Sequence, residues 1–192
     1  MPTPEEVPLV VPDVAASRAA YAISKIFGEA AVLHTARARG VRAVVGRFHN
    51  VYGPRMGADH VVPELSLRAL AREDPFRVYG AAQRRAFCHV TDAVDAVVRL
   101  MATPAAAGQV VNIGNDESET RVGDLVALVL RLAGVHPRLE RLPAPAGSVE
   151  RRCPDISRLR ALTGFRPKIS LEAGVAETFA WYRDHRDGPG RA

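Results

Sequence analysis

Two hydrophobic rhythms alternate along this chain, one with the period of a helix and one of short apolar runs. A helical period starts after Ser17, a candidate N-cap, and runs to about Arg39, where Gly40 stops it. Val41-Arg42-Ala43-Val44-Val45-Gly46-Arg47-Phe48 then reads as a buried strand, because so short a β-branched run does not make a helix. Asn50 to Asp59 reads as loop, broken by Gly53-Pro54 and Gly57. The pattern predicts a helix over Val61–Arg72, a strand over Phe76–Tyr79, a helix capped by Thr91 through about Met101, and a strand over Gln109–Ile113. Thr120 opens a helix to Ala133, ahead of Gly134, and Leu139–Leu142 reads as extended. Helices follow near Asp155–Leu162 and Leu171–Arg183. Residues 1–16 hold four prolines and form an extended lead-in, residues 186–192 read as a frayed tail, and no internal repeat occurs. Helices alternating with short apolar strands argue the α/β class.

Composition narrows the options. With 192 residues, 47% apolar and 24% charged, the chain has the makeup of a folded domain and not of a disordered one. No window approaches the roughly 18 uninterrupted apolar residues of a membrane span. The start, Met1-Pro2-Thr3-Pro4-Glu5-Glu6, carries no basic segment followed by an apolar stretch, so no secretory signal is expected. Cys88 and Cys153 are far apart and match no zinc spacing, so a reduced, cytoplasmic protein without a metal site is the expectation.

The net charge of +5 comes almost wholly from arginine, since Lys25 and Lys168 are the only lysines. Nucleic-acid binding needs clustered basic residues with aromatics to stack bases. These arginines are scattered and aromatics are 6%, so nucleic acid is the weaker reading. Forked contacts from a few arginines to a small anionic ligand suit the pattern better. Nothing resembles G-x-G-x-x-G or a P-loop, so any phosphate must be held mainly by side chains.

Tyr21-Ala22-Ile23-Ser24-Lys25 places a phenol and an ammonium four residues apart on one helix face. A cation that close favours phenolate, which suits a general base or acid for a hydroxyl. Alone, this spacing is common in helices. It is followed in order by Arg47-Phe48-His49-Asn50-Val51-Tyr52-Gly53-Pro54-Arg55, Val61-Val62-Pro63-Glu64, Val78-Tyr79-Gly80, Arg84-Arg85-Ala86-Phe87-Cys88-His89-Val90-Thr91-Asp92, Asn112-Ile113-Gly114 and Arg151-Arg152-Cys153-Pro154-Asp155-Ile156. This series, from about Tyr21 to Tyr182, closely resembles the extended short-chain dehydrogenase/reductases, and among them the NAD-dependent nucleotide-sugar epimerases and dehydratases.

The resemblance implies roles. Tyr21 would be the base at a sugar hydroxyl, and Lys25 would hold the nicotinamide ribose and tune Tyr21. Asn50, Arg85 and Arg152 would bind the diphosphate of a nucleoside diphosphate sugar, with Arg84 or Arg151 as rival partners. Val62, Val78 and Tyr79 would line the base pocket. On pattern alone Asn50 is a turn former, Val62 and Val78 are core, and both arginines are surface charge. Asp92 reads first as helix N-terminal charge, and His49 and His89 as packing or structural hydrogen bonds.

In that family a glycine-rich dinucleotide-binding half, which includes a catalytic Ser or Thr, precedes the Tyr/Lys helix. No such stretch occurs in these 192 residues, and Ser17 and Thr3 are poor substitutes for the Ser/Thr. The expected fold is therefore a partial Rossmann-like doubly wound sheet with a smaller α/β C-terminal substrate-binding domain. Residues 1–55 would be the dinucleotide-domain remnant. Residues 56–185 would be mainly the sugar-binding part, interleaved with returning Rossmann elements. The implied function is part of an NAD-dependent 4-epimerase or UDP-glucuronate decarboxylase working through a 4-keto sugar. Such a part would be inactive alone, and would self-associate or take a second chain that supplies the missing half. A non-catalytic nucleotide-sugar-binding module is the alternative.

Overall fold

Helical periodicity after the proline-rich lead-in becomes α1, Ala19–Arg39, in the computed structural model, which describes residues 2–11, 13–16, 19–145 and 147–185. The expected cap Ser17 and the tail 186–192 lie outside the described residues. At the helix end Gly40 takes φ 63°, and the amides of Gly40 and Val41 return to the carbonyls of Arg37 and Ala36. Glycine enters this left-handed exit without steric cost, and the paired bonds satisfy carbonyls that the last turn leaves free.

β1 is Val45–Phe48, shorter than the apolar run suggests. Val41–Val44 lie outside any strand, because the parallel partner β6, Val110–Ile113, reaches only Val45–Phe48. A β-branched run becomes a strand only where a neighbour pairs with it. β2, Val51–Tyr52, sits inside the segment expected to be loop, and forms by parallel pairing with β5, Cys88–His89. Helix α2, Val61–Leu70, stops two residues before its expected end. β3, Phe76–Tyr79, turns Phe76 and Val78 inward and Arg77 and Tyr79 outward, as strand alternation requires.

β4, Arg84–Ala86, precedes α3, Val90–Ala102. The cap of α3 is His89, whose Nδ1 accepts the Thr91 amide at 3.4 Å; Thr91 itself is inside the helix. Thr120 likewise lies within a strand, β7, Glu119–Arg121, and α4 begins after it, Val122–Ala133. β8, Leu139–Leu142, pairs in parallel with β3. β9, Arg151–Arg152, joins β4, which is flanked on its other side by antiparallel β7. α5, Ser157–Thr163, and α6, Leu171–His185, complete the chain. Strands as short as β4, β5 and β9 carry no period of their own and exist through their pairing partners.

Among the described residues four of the five strand pairings are parallel, which places the chain in the α/β class with a Rossmann-like sheet. Two cores form. One packs α2, α4 and α6 against β3, with Val62, Phe76, Val78, Leu125, Val129 and Phe179 inside. The other packs α3 and α5 around β6, with Ala96, Val111, Ile113, Leu159 and Phe165 inside. The chain thus leaves β1 for the first core and returns through α3 and β6.

The two edges of the β1–β6 pair differ. On the far edge of β6, the Glu5 carboxylate accepts the Asn112 amide at 2.8 Å and Arg158 donates to the Val110 carbonyl at 2.8 Å. Those side chains occupy the groups a further strand would use. The outer edge of β1 has no strand partner among the described residues. No described helix is long and apolar enough to cross a membrane.

Candidate active site

α1 lies against β1 as a nearly free-standing helix. Ala19 is its one buried residue, while Tyr21 and Phe27 are 69% and 73% exposed. Between helix and strand runs a groove of about 600 Å3, lined by Tyr21, Ser24, Lys25, Gly28, Val32, Gly46, Arg47 and Phe48. Tyr21 and Lys25 share this groove as their spacing predicts, with the Lys25 Nζ 5.3 Å from the Tyr21 ring centroid. A Cβ at Gly46 would come within 2.7 Å of the Ile113 Cδ1, so a larger residue there would displace the end of that side chain.

The second element of the site is a pair of arginines. β4 and β9 run in register with Arg84 opposite Arg151 and Arg85 opposite Arg152. Successive residues point to opposite faces of a strand, so the four guanidiniums divide into two pairs. On one face Glu119 neutralises its pair, with Oε1 2.6 Å from the Arg151 Nε and 3.5 Å from the Arg84 Nε. Arg151 and Arg84 in turn hold the Glu119 carboxyl below its ordinary value. On the other face Arg85 and Arg152 meet no carboxylate among the described residues. Burial and the neighbouring Arg152 charge push the Arg85 guanidinium below its ordinary value. Arg85 directs Nη1 and Nη2 to the carbonyls of Arg84, Val149 and Glu150 and to the Gln83 side chain, which pins the 149–150 segment beside β4 and leaves Nε without a partner among the described residues. The Arg152 side chain is exposed and makes no hydrogen bond or ion pair with a described residue.

Residues 47–50 connect the two elements at the carboxyl end of β1. Arg47 lines the groove; His49 follows, its ring 2.9 Å from the Asn112 Oδ1. Burial, the largest influence, pushes the His49 imidazole below its ordinary value against that bond, and the Arg152 and Arg47 charges act in the same direction as burial. Asn50 takes φ 41° and donates from Nδ2 to the Ala86 carbonyl at 2.8 Å, so it forms the turn and also ties it to β4 beside Arg85.

The remaining candidates fall elsewhere. Val62 and Val78 are buried in the first core, and Tyr79 at the end of β3 is half exposed. The Asp92 carboxylate is buried and consumed by the backbone amides of Lys168 and Ile169 at 3.0–3.1 Å, anchoring the approach to α6. His89 is buried edge-on to Tyr52, with ring centroids 5.4 Å apart. No described His, Cys, Asp or Glu form a group that could hold a metal ion.

Sequence reasoning missed Glu29 and Arg47. Arg47 binds Glu29 through two hydrogen bonds, Nε to Oε2 at 2.9 Å and Nη2 to Oε1 at 2.6 Å. The four-residue step from Lys25 to Glu29 was a usable signal. Arg47 and the buried carboxylate of Glu5 left none, because their partners are distant in sequence.

Helices packed around mostly parallel strands define the Rossmann-like α/β class. Residues 2–114, more than half of the chain, match the model of the NAD dependent epimerase/dehydratase family, and the chain belongs to that family. It is 31% identical over 177 residues to the UDP-N-acetyl-alpha-D-glucosaminuronate decarboxylase of Bacillus cytotoxicus, covering 87% of this chain and 54% of that one. It is 32% identical to UDP-glucuronic acid decarboxylase 1 of Xenopus tropicalis over 169 residues, 86% of this chain and 39% of the relative. Among solved structures, the UDP-glucose 4-epimerase of Thermotoga maritima with UDP-glucose superposes with a TM-score of 0.81 at 29% identity, over 95% of this chain and 57% of that one. The chain therefore spans about half the length, or less, of the curated relatives it matches.

Proposed function

We propose that this chain is the part of a nucleotide-sugar-modifying enzyme that carries the Tyr/Lys pair and binds the sugar nucleotide, with NAD as cofactor and a 4-epimerase or UDP-glucuronate decarboxylase activity. The observation that carries the reading is the unneutralised Arg85–Arg152 pair on one face of the β4–β9 ladder, beside a face where Glu119 neutralises the corresponding pair. Two guanidiniums side by side without a counter-ion favour a ligand with two negative charges close together, as in a diphosphate. That contrast favours Arg85 and Arg152 over Arg84 and Arg151 as the diphosphate-binding pair. Asn50 would add its second amide hydrogen to the diphosphate. Tyr79 would face the base, backed from the core by Val62 and Val78.

The α1–β1 groove fits one end of a dinucleotide, because Lys25 is exposed there and pairs with no described carboxylate. Its pyrophosphate would need a glycine-rich helix N-terminus, and residues 1–192 contain no such turn. Bound NAD supplies a hydride acceptor. With NAD bound, Tyr21 would take the proton of the sugar C4 hydroxyl as the C4 hydride left for the cofactor, and the Lys25 ammonium beside it would favour that transfer. Arg85, Arg152 and Asn50 keep the sugar in place during these steps. Whether the 4-keto sugar is re-reduced or loses carbon dioxide depends on groups around C5 and C6.

The open outer edge of β1 is where a polypeptide bearing the glycine-rich half would pair, and a cytoplasmic setting suits the two free, buried thiols. The test is sedimentation together with titration by NAD and UDP-glucuronate. Alone, the chain should self-associate, bind NAD weakly or not at all, and turn over no nucleotide sugar. A polypeptide containing the glycine-rich half should restore both binding and turnover. A monomer that binds NAD at micromolar concentration and oxidises the sugar unaided would refute the reading. Sugar-nucleotide binding with no turnover after reconstitution would favour a non-catalytic module.

A further inference from the structure

α1 stacks Tyr21, Lys25 and Glu29 on one face at four-residue intervals. Lysine and glutamate so placed pair with one another on an unconstrained helix, which here would occupy the Lys25 ammonium. Here Arg47 engages Glu29 instead. Its fork takes both oxygens of Glu29, and its Nη1 donates to the Glu5 carbonyl at 2.9 Å. The Arg47 and Glu29 side chains are 22% and 16% exposed, so water competes little for them. Lys25 is exposed and lies over the Tyr21 ring.

Glu29 is useful where it is, because a helix that buries only Ala19 needs a tie to the sheet. The same carboxylate is a liability one turn from Lys25. A planar fork resolves the conflict by saturating both oxygens, which a lysine at position 47 could not do. We propose that Arg47 is a positioning residue that sequesters Glu29 from Lys25, so that the Lys25 ammonium stays free for the ligand of the α1–β1 groove. This deepens the reading of Lys25 as a ligand-binding group and rests on it.

The chain has two lysines, Lys25 and Lys168, which makes amine chemistry a clean probe. Trace acylation with an N-hydroxysuccinimide acetate ester, read peptide by peptide, gives the Lys25 rate with Lys168 as internal reference. Arg47→Ala should release Glu29 onto Lys25 and slow its acylation about two-fold, the size of a helical ion pair. Glu29→Gln should leave the rate as in the wild type, and the double variant should return to it. If Arg47 and Glu29 formed only a structural tie, both single variants would loosen α1 alike and move Lys25 in the same direction. That result, or faster acylation in Glu29→Gln alone, overturns the proposal. Should Arg47→Ala not fold by circular dichroism, Arg47→Gln takes its place, and the Glu29→Gln arm still decides. Because no dinucleotide enters the experiment, its outcome is separate from the NAD titration that tests the role of Lys25.

Discussion

Arg152→Ala removes a guanidinium that is exposed and makes no hydrogen bond or ion pair with any described residue. Folding stability should therefore stay within about 0.5 kcal/mol of the wild type, the usual range for surface changes. Relief of the repulsion between Arg152 and Arg85 acts, if anything, to stabilise the fold. Ligand binding should respond very differently. A charge-assisted hydrogen bond to a diphosphate oxygen is worth about 1.5–3 kcal/mol, or roughly 10- to 150-fold in Kd. Isothermal titration of UDP-glucuronate and of uridine, each against wild type and variant, separates the contributions. The sugar nucleotide should weaken by that factor and the nucleoside should not. Added salt should narrow the gap, because the lost contact is ionic. Arg85→Ala should weaken binding too, but also lower the thermal midpoint, since Arg85 holds the carbonyls of Val149 and Glu150. Equal losses for uridine and UDP-glucuronate, or no loss for either, would show that Arg152 is surface charge and that the diphosphate reading of this face is wrong.

Two further outcomes follow from the packing. Gly174 in α6 faces Tyr52 and His89, and a Cβ there would meet the Tyr52 hydroxyl and come within 2.9 Å of the His89 Cδ2. Both rings are buried, so Gly174→Ala should cost about 1–3 kcal/mol in a urea denaturation, as overpacked cores do; an unchanged midpoint would mean the first core yields easily. Cys88 is fully buried, and burial, helped by Asp92, pushes its thiol up to about 12. The unfolded chain gives up that proton near the ordinary value of 9.0, so between pH 9 and 12 it binds fewer protons than the folded one and stability falls as pH rises. Cys88→Ala should flatten this part of the pH–stability curve, and the native thiol should resist alkylation at pH 8; rapid labelling would contradict its placement.

Local pattern was enough for the long elements and for the chemistry carried on one of them. α1, α4 and α6 show in their periods, Gly40 and Gly134 end helices as short-range sterics demand, and Tyr21 and Lys25 share a face because four residues make about one turn. Such features depend on residues a few positions apart, which a linear reading captures. Pairing decided the rest. β1 ends where β6 ends, β4 and β9 exist because they adjoin, and His89 displaced Thr91 as cap through a backbone that β2 holds in place. The site followed the same division. The resemblance singled out Arg85 and Arg152 but left Arg84 and Arg151 as rivals, and only the strand register with Glu119 separates the neutralised face from the free one. Glu5, Glu29 and Arg47 meet partners 18 to 107 positions away. A carboxylate's partner, and therefore the charge left over for a ligand, is set by which strands lie side by side, and tertiary structure alone determines that.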